Sequence, residues 1–514
     1  MTKFVFKQRS WFRYLAITLL WCFVGILTFT DAHGVIQPHL MWLGVGGTLV
    51  IWIICIPLRS SARRGVINSI DQAIAEQRGG HVRGSELVAL DHLTALLEAI
   101  QRGFSGHDVY RQAHVMMVRP DKFPRDPHIF DGWVKLAGMP IPPAVENLHF
   151  AIAASTGAGK SVTLRGLLAD IRQRGDRAIV IDNGSEFMEV FGRDDDLVLS
   201  PFDSRSRGWN VVNEIRAAHD WSRLARSVVP DGHGSDKSWH EMAQTLFANI
   251  GAAVGGDNRQ LLDIATSYTA KMLEPILTGT SSAVLTQEGG ERLLTNIRSV
   301  YATHLASWRF MQEGDFSLRD YMQGTDKRWL FVPFLESEFS ASRPLIRTWM
   351  DILVSAGLER PEGSQQTWII IDELDTLGAM SSLIAATTKL RKRKVSVVVA
   401  FQSISQLEQH YGRENAETLL NCFSSKVILR SVDGNTAERL SRELGERERW
   451  KKSYTVTGVG GSTTQAQHVE RLVLPSQIQS LPDLHGYIKL AGNYPVARCK
   501  ASVEASDPKR REVA

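Results

Sequence analysis

The segment at residues 154–161, Ala-Ser-Thr-Gly-Ala-Gly-Lys-Ser, constrains this chain more than any other stretch. It follows the strand-like run HFAIAA and leads into TLRGLLADIRQRG, whose apolar spacing is helical, so the local order is strand, loop, helix. The loop matches the phosphate-binding pattern GxxxxGK[ST] except at its first position, where Ala154 replaces glycine. That chemistry needs glycines where backbone N–H groups wrap phosphates, a lysine for the β- and γ-phosphates and a hydroxyl for magnesium. Gly157, Gly159, Lys160 and Ser161 supply these groups. Ser155, Thr156, Ala158 and Val162 complete the expected nucleotide-binding segment. A chain of this length expects on the order of 0.05 such matches by chance. Ala154 is expected in an ordinary backbone conformation, because a methyl group at positive φ costs about 1 kcal/mol or more.

A second segment completes the chemistry. TWIIIDELDTLG places Asp372 and Glu373 at the end of an apolar strand, where Asp372 would hold magnesium and Glu373 would orient and deprotonate water. Asp375, one step past the pair, reads as a solvated or capping carboxylate. The next strand, VSVVVAF, ends at Gln402, an amide suited to sensing the γ-phosphate in a parallel sheet. It is preceded by Arg391, Lys392, Arg393 and Lys394, which read as a solvated basic face, an arginine supplied to a neighbouring subunit or a lining for DNA. His240 and Glu241 begin an apparent HExxH zinc motif, but the fifth residue is Gln244, so these read as helix-surface residues.

Strands and helices alternate on both sides of a long helical stretch. The expected fold is therefore an α/β P-loop nucleotide-binding domain carrying an all-α insertion, preceded by two transmembrane helices. Residues 14–30 and 40–58 contain no charged side chain, and each approaches the ~20 residues that cross a bilayer. A cleaved leader fits poorly, since Thr30, Asp31 and Ala32 make a weak cleavage site and a second run follows at once. Lys3, Lys7, Arg9 and Arg13 flank one end and Arg59, Arg63 and Arg64 the other, so both ends are expected in the cytoplasm. The expected division is a membrane anchor at 1–64, a helical stem at 65–120, the nucleotide domain at 121–216 and 316–514, and the insertion at 217–315. In the stem, Leu87, Leu90, Leu93, Leu96 and Leu97 share a helical face.

The 514 residues carry 59 basic and 55 acidic side chains, a net charge of +4 that excludes a wholly basic nucleic-acid sleeve. The 4 cysteines are scattered with no CxxC pair, which fits neither a disulfide scaffold nor a zinc knuckle.

Two apolar spans, STGAGKS, a helical insertion, IIIDELDTLG, VVVAFQSISQLEQHYG and GYIKLAGNYPVA, in that order, resemble the coupling proteins of conjugative type IV secretion systems, the TraD-like and TrwB-like group. The resemblance covers nearly the whole chain, and AFQSISQL after the Asp-Glu strand is its most discriminating part. It implies a RecA-like homohexameric ATPase of the bacterial inner membrane that uses ATP and Mg2+. Such a ring would receive a relaxase bound to single-stranded DNA and help pump that strand toward the secretion channel subunits. Carried over, Lys160 and Ser161 contact phosphate and magnesium, Asp372 and Glu373 are the Walker B pair, Gln402 is the sensor, and Arg391 is the trans-acting arginine. Two other motors fit the same core: a duplex-DNA translocase of the FtsK and HerA kind, and a factor coupling protein secretion alone. A non-catalytic scaffold is opposed by the intact Glu373 and Gln402.

Overall fold

The computed structural model describes residues 86–502 apart from 122–123, 127, 233 and 458–459. The apolar runs at 14–30 and 40–58 and the first part of the expected stem lie outside the described residues. Among the described residues, no helix is long and apolar enough to cross a membrane.

In chain order the strands are β1 (Leu87–Ala89), β2 (Lys135–Leu136), β3 (Met139–Pro140), β4 (Phe150–Ala153), β5 (Arg177–Asn183), β6 (Leu197–Val198) and β7 (Leu330–Phe334). They continue as β8 (Thr367–Ile371), β9 (Val395–Phe401), β10 (Ser425–Ile428), β11 (Glu446–Thr457), β12 (Gly460–Arg471), β13 (His485–Lys489) and β14 (Val496–Lys500). Ten of these form one sheet in the order β1-β14-β13-β10-β4-β9-β8-β5-β7-β6. From β10 to β6 every pairing is parallel, whereas β13 runs antiparallel to both β10 and β14. The sheet is thus mixed, with a parallel heart.

Burial explains the heart. Every residue of β4, β8 and β9 is buried, as parallel strands covered on both faces require. Successive residues serve opposite faces: Trp368 and Ile370 pack with Leu164, Leu168 and Ile171 of the helix Lys160–Arg174, while Ile369 and Ile371 join the core containing Leu345 and Trp349 of the helix Glu336–Leu358.

Between β6 and β7 every element is helical, including Asp220–Val228, Lys237–Val254, Asn258–Ser267 and Gly290–His304. Their shared core holds Trp209, Phe247, Trp308 and Trp349, with Trp209 edge-on to Trp308 and Trp349 at 6.0 and 5.9 Å. Gly251 is required there, because a Cβ would lie 2.2 Å from the Trp221 ring.

Local expectations change at Leu87, Gln244 and His240, while Glu241 lies on the helix surface as expected. Leu87 lies in β1 and pairs with Val496, so the helix begins only at Leu90, while Leu93, Leu96 and Leu97 are buried as the spacing predicts. An open edge on β14 outweighs helical propensity at that residue. Gln244 is buried, and its amide donates to Val229 O at 2.9 Å and Asp231 Oδ1 at 3.0 Å. His240 is half-buried with Nδ1 on Pro230 O at 2.6 Å; Glu241 is exposed.

Candidate functional site

Four parallel neighbours, β4, β9, β8 and β5, end side by side, and each end carries a polar group. The glycine-rich loop leaves β4 and enters the helix Lys160–Arg174, whose N-cap Gly159 has φ 111°. Gly157 has φ 76°, so both glycines occupy the left-handed region that side chains avoid. Ala154 is buried outside that region, and its N–H donates to Phe401 O at 3.1 Å, as its methyl group requires. Ser161 and Val162 occupy the first helical turn beside Lys160. The Ser155 hydroxyl accepts from Val432 N at 2.9 Å, and the Ala158 carbonyl accepts from Leu484 N at 3.0 Å.

A hydrogen-bond chain crosses the four strand ends. Thr156 Oγ1 donates to Gln402 Oε1 at 3.0 Å, and Gln402 Nε2 donates to Glu373 Oε1. Asn183 Nδ2 donates to the other Glu373 oxygen at 2.9 Å. Both oxygens of Glu373 are therefore held by amides from the two strands flanking its own. Asp375 is buried rather than solvated, and accepts from the Gln402 N–H at 3.1 Å. Burial pushes its carboxyl above the ordinary range, partly offset by that N–H.

Lys160 Nζ donates to Asp372 O at 3.1 Å and lies 3.5 Å from Asp372 Oδ1, which accepts no hydrogen bond among the described residues. Burial raises the Asp372 pKa; Lys160 opposes this and Glu373 adds to it. On the adjacent strand Asp182 is fully buried and its pKa is pushed up to about 7, chiefly by desolvation, with Met188 and Phe187 N–H groups opposing and Asp372 contributing. These residues fit a magnesium nucleotide: a loop with two left-handed glycines, a helix N-terminus, a lysine, a hydroxyl and a carboxylate oxygen without a donor. Among the described residues no group of three His, Cys, Asp or Glu side chains is placed so that it could hold a metal ion by itself. Magnesium in nucleotide sites takes one or two carboxylates beside phosphate and water.

Arg391 is not brought to this site. It opens the turn Arg391–Arg393 before β9, and the 7 residues of β9, about 23 Å of extended strand, lie between that turn and Gln402. Arg391, Lys392 and Lys394 are exposed, and none of the four basic residues forms an ion pair among the described residues.

Asn183 escaped the sequence reading, although the continuous apolar run of RAIVIDN ending in two polar residues was a usable signal. The segment on the loop's other side was also missed. Ser155 N donates to Arg430 O at 2.8 Å, Arg430 pairs with Asp483 at 2.6 Å, and a Cβ on Gly159 would lie 2.8 Å from Leu484.

A family model described as the type IV secretion-system coupling protein DNA-binding domain matches residues 133–502. The coupling protein TraD of Escherichia coli K12 is 30% identical over 389 residues, 72% of this chain and 54% of that protein. The coupling protein VirD4 of Bartonella quintana is 26% identical over 200 residues, 37% of this chain and 30% of its own. The chain thus spans about half, or less, of the length of the curated relatives it matches. Among solved structures, the bacterial conjugative coupling protein TrwBdeltaN70, unbound, is similar with a TM-score of 0.71 and 32% identity, covering 82% of this chain and 93% of that one. The plasmid coupling protein TrwB in complex with ADP and Mg2+ is similar with a TM-score of 0.69 and 32% identity, covering 82% and 94%.

Proposed function

Because the chain belongs to the type IV secretion-system coupling proteins, we propose that it is a DNA-stimulated ATPase linking a relaxase bound to single-stranded DNA to the secretion channel. The observation that carries this reading is the chain of side chains from Thr156 through Gln402 and Glu373 to Asn183, which ties a phosphate-binding loop to a poised carboxylate.

In this reading the sheet is the RecA-like motor of a homohexamer at the bacterial inner membrane. Residues 14–30 and 40–58 are its transmembrane helices, 1–64 the anchor, 65–120 the stem and 217–315 the insertion that meets the relaxase, with 121–216 and 316–514 forming the motor. The loop amides and Lys160 bind the ATP phosphates. Ser161 and Asp372 would hold Mg2+, which would neutralise phosphate charge when bound. Glu373 takes a proton from the attacking water, while Asn183 and Gln402 fix its orientation. Gln402 also touches Thr156 in the loop, so nucleotide state reaches the carboxylate through one amide. Arg391 completes the site of a neighbouring subunit, which its distance from its own Gln402 permits.

The test measures ATP hydrolysis by the purified full chain with single-stranded DNA, duplex DNA or none. Stimulation by single strands, independent of base sequence and weakening with salt, is expected. Preferential stimulation by duplex DNA would support the FtsK-like and HerA-like motor instead, and indifference to both would support coupling of protein substrates alone.

A further inference from the structure

We propose that Phe202, Phe310, Arg207 and Arg309 form a contact for single-stranded nucleic acid at the root of the helical insertion. The proposal rests on the single-strand reading above and adds the residues that grip the strand. Phe202 and Phe310 are 39% and 48% exposed, yet their ring centroids lie 5.4 Å apart at 44°. They make one contiguous aromatic surface rather than two scattered apolar residues, which is the informative kind of exposure.

The rings come from chain segments that run side by side where the insertion joins the sheet. Trp209 N donates to Gln312 O at 2.9 Å, and Phe316 N donates to Gly208 O at 3.2 Å. Behind the patch, Trp209 and Trp308 are buried edge to face at 6.0 Å, so both segments are held by a packed aromatic core. The exposed rings are thus fixed before any ligand arrives, which lowers the ordering cost of binding.

Charge identifies the ligand. Arg309 stands over the Phe310 ring at 6.0 Å, with Nε on Ala306 O at 3.0 Å. Arg207 leaves the same loop as Phe202, and neither arginine forms an ion pair among the described residues. Exposed aromatic faces with the Arg309 guanidinium over one ring, and the exposed Arg207 five positions along the loop from the other, suit a polyanion with unstacked bases: the rings take the bases and the cations the phosphates. A duplex hides its base faces and offers only phosphates to such a surface.

The experiment measures fluorescence anisotropy of the full-length chain with a labelled 30-nucleotide oligo(dT) and with an abasic strand of equal length, across a salt series. Replacing both phenylalanines by leucine keeps apolar bulk and removes the rings; replacing both by serine removes both properties. Each pair should weaken oligo(dT) binding about tenfold and leave abasic binding unchanged. Arg207→Ala with Arg309→Ala should lower the salt slope by about 1.4 on both strands. Unchanged oligo(dT) affinity in the leucine pair, or an equal loss on the abasic strand, overturns the proposal. Loss of assembly in sedimentation with intact DNA affinity also overturns it, and marks the patch as a contact between copies. A parent chain that binds neither strand removes the functional reading itself, a result separable from the variant comparisons.

Discussion

The two edges of the parallel sheet are chemical opposites. At the carboxyl edge stand Asp182, Asp372, Glu373 and Asp375, interlocked with Lys160, Asn183, Gln402 and Thr156. At the amino edge Arg177 and Arg360 are fully buried. Arg177 donates to the carbonyls of Tyr321 and Met322 at 2.6 and 2.8 Å, and Arg360 to Gln365 O at 2.7 Å. Burial and the neighbouring Arg177 push the Arg360 pKa down to about 10. Arg391, Lys392 and Lys394 lie exposed on the same edge. One edge gathers carboxylates around a lysine and amides; the other buries two arginines against carbonyls and leaves three further cations facing outward. The contrast teaches that the two ends of β9 differ in kind: Gln402 is bonded to this chain's own loop, while Arg391 is exposed and forms no ion pair among the described residues.

Breaking the outward edge should have the largest effect. Arg391→Ala is expected to lower turnover about 10³-fold or more in assembled rings while leaving nucleotide binding intact. Mixing Arg391→Ala with Lys160→Ala subunits should restore part of the activity, since some interfaces then pair an intact loop with an intact arginine. No rescue in demonstrably mixed rings would move the trans residue elsewhere.

On the inward edge, Glu373→Gln should cost about 10²-fold or more in kcat and trap bound ATP, because the amide cannot take the proton. Lys160→Ala should instead weaken binding itself. Equal nucleotide affinity in the two variants would erase the division of roles.

Asn183→Ala sharpens the comparison, because it removes one of two amides holding Glu373 without touching the loop. A loss of about tenfold in kcat at unchanged KM is expected, the scale of one hydrogen bond to a charged group. A rise in KM alone would assign Asn183 to binding rather than to positioning.

The smallest effect on turnover should come from Asp182→Asn, whose consequence is for stability. The carboxyl has a folded pKa of about 7, above its ordinary value of ~3.9 in an unfolded chain. The native state therefore binds the additional proton between those values, and its stability falls as pH rises through that window. The variant should gain thermal stability over the parent at pH 8 and little at pH 4. An identical difference in Tm at both pH values would show that Asp182 does not titrate there.

What could be read in advance depended on contiguity. The phosphate loop and the Asp372–Glu373 pair each lie within one short segment, so residue types and spacing announce them. β10 was not foreseen, because its Lys426 interrupts an apolar pattern, yet that lysine is buried against Glu443 at 2.7 Å. β11 and β12 pair antiparallel over 12 residues each, from Glu446 opposite Arg471 to Thr457 opposite Gly460, and their polar sequences carry no buried-strand signal. Of the two readings of Asp375, solvated or capping, burial removes the first, because burial is a property of the packed strand ends and not of its own segment.

By itself the amino-acid sequence determined the local chemistry: which loop wraps phosphate, which strand ends in paired carboxylates, where helices replace strands. It did so because backbone conformation and apolar period are properties of neighbours along the chain. Only the tertiary structure decided who meets whom. The order β4-β9-β8-β5 sets Thr156, Gln402, Glu373 and Asn183 in a row, and the length of β9 carries Arg391 away from them. That order arises from strand pairing between residues up to 248 positions apart, as where Phe150 lies opposite Val398, and such pairing is chosen by the burial of whole faces rather than by any local pattern.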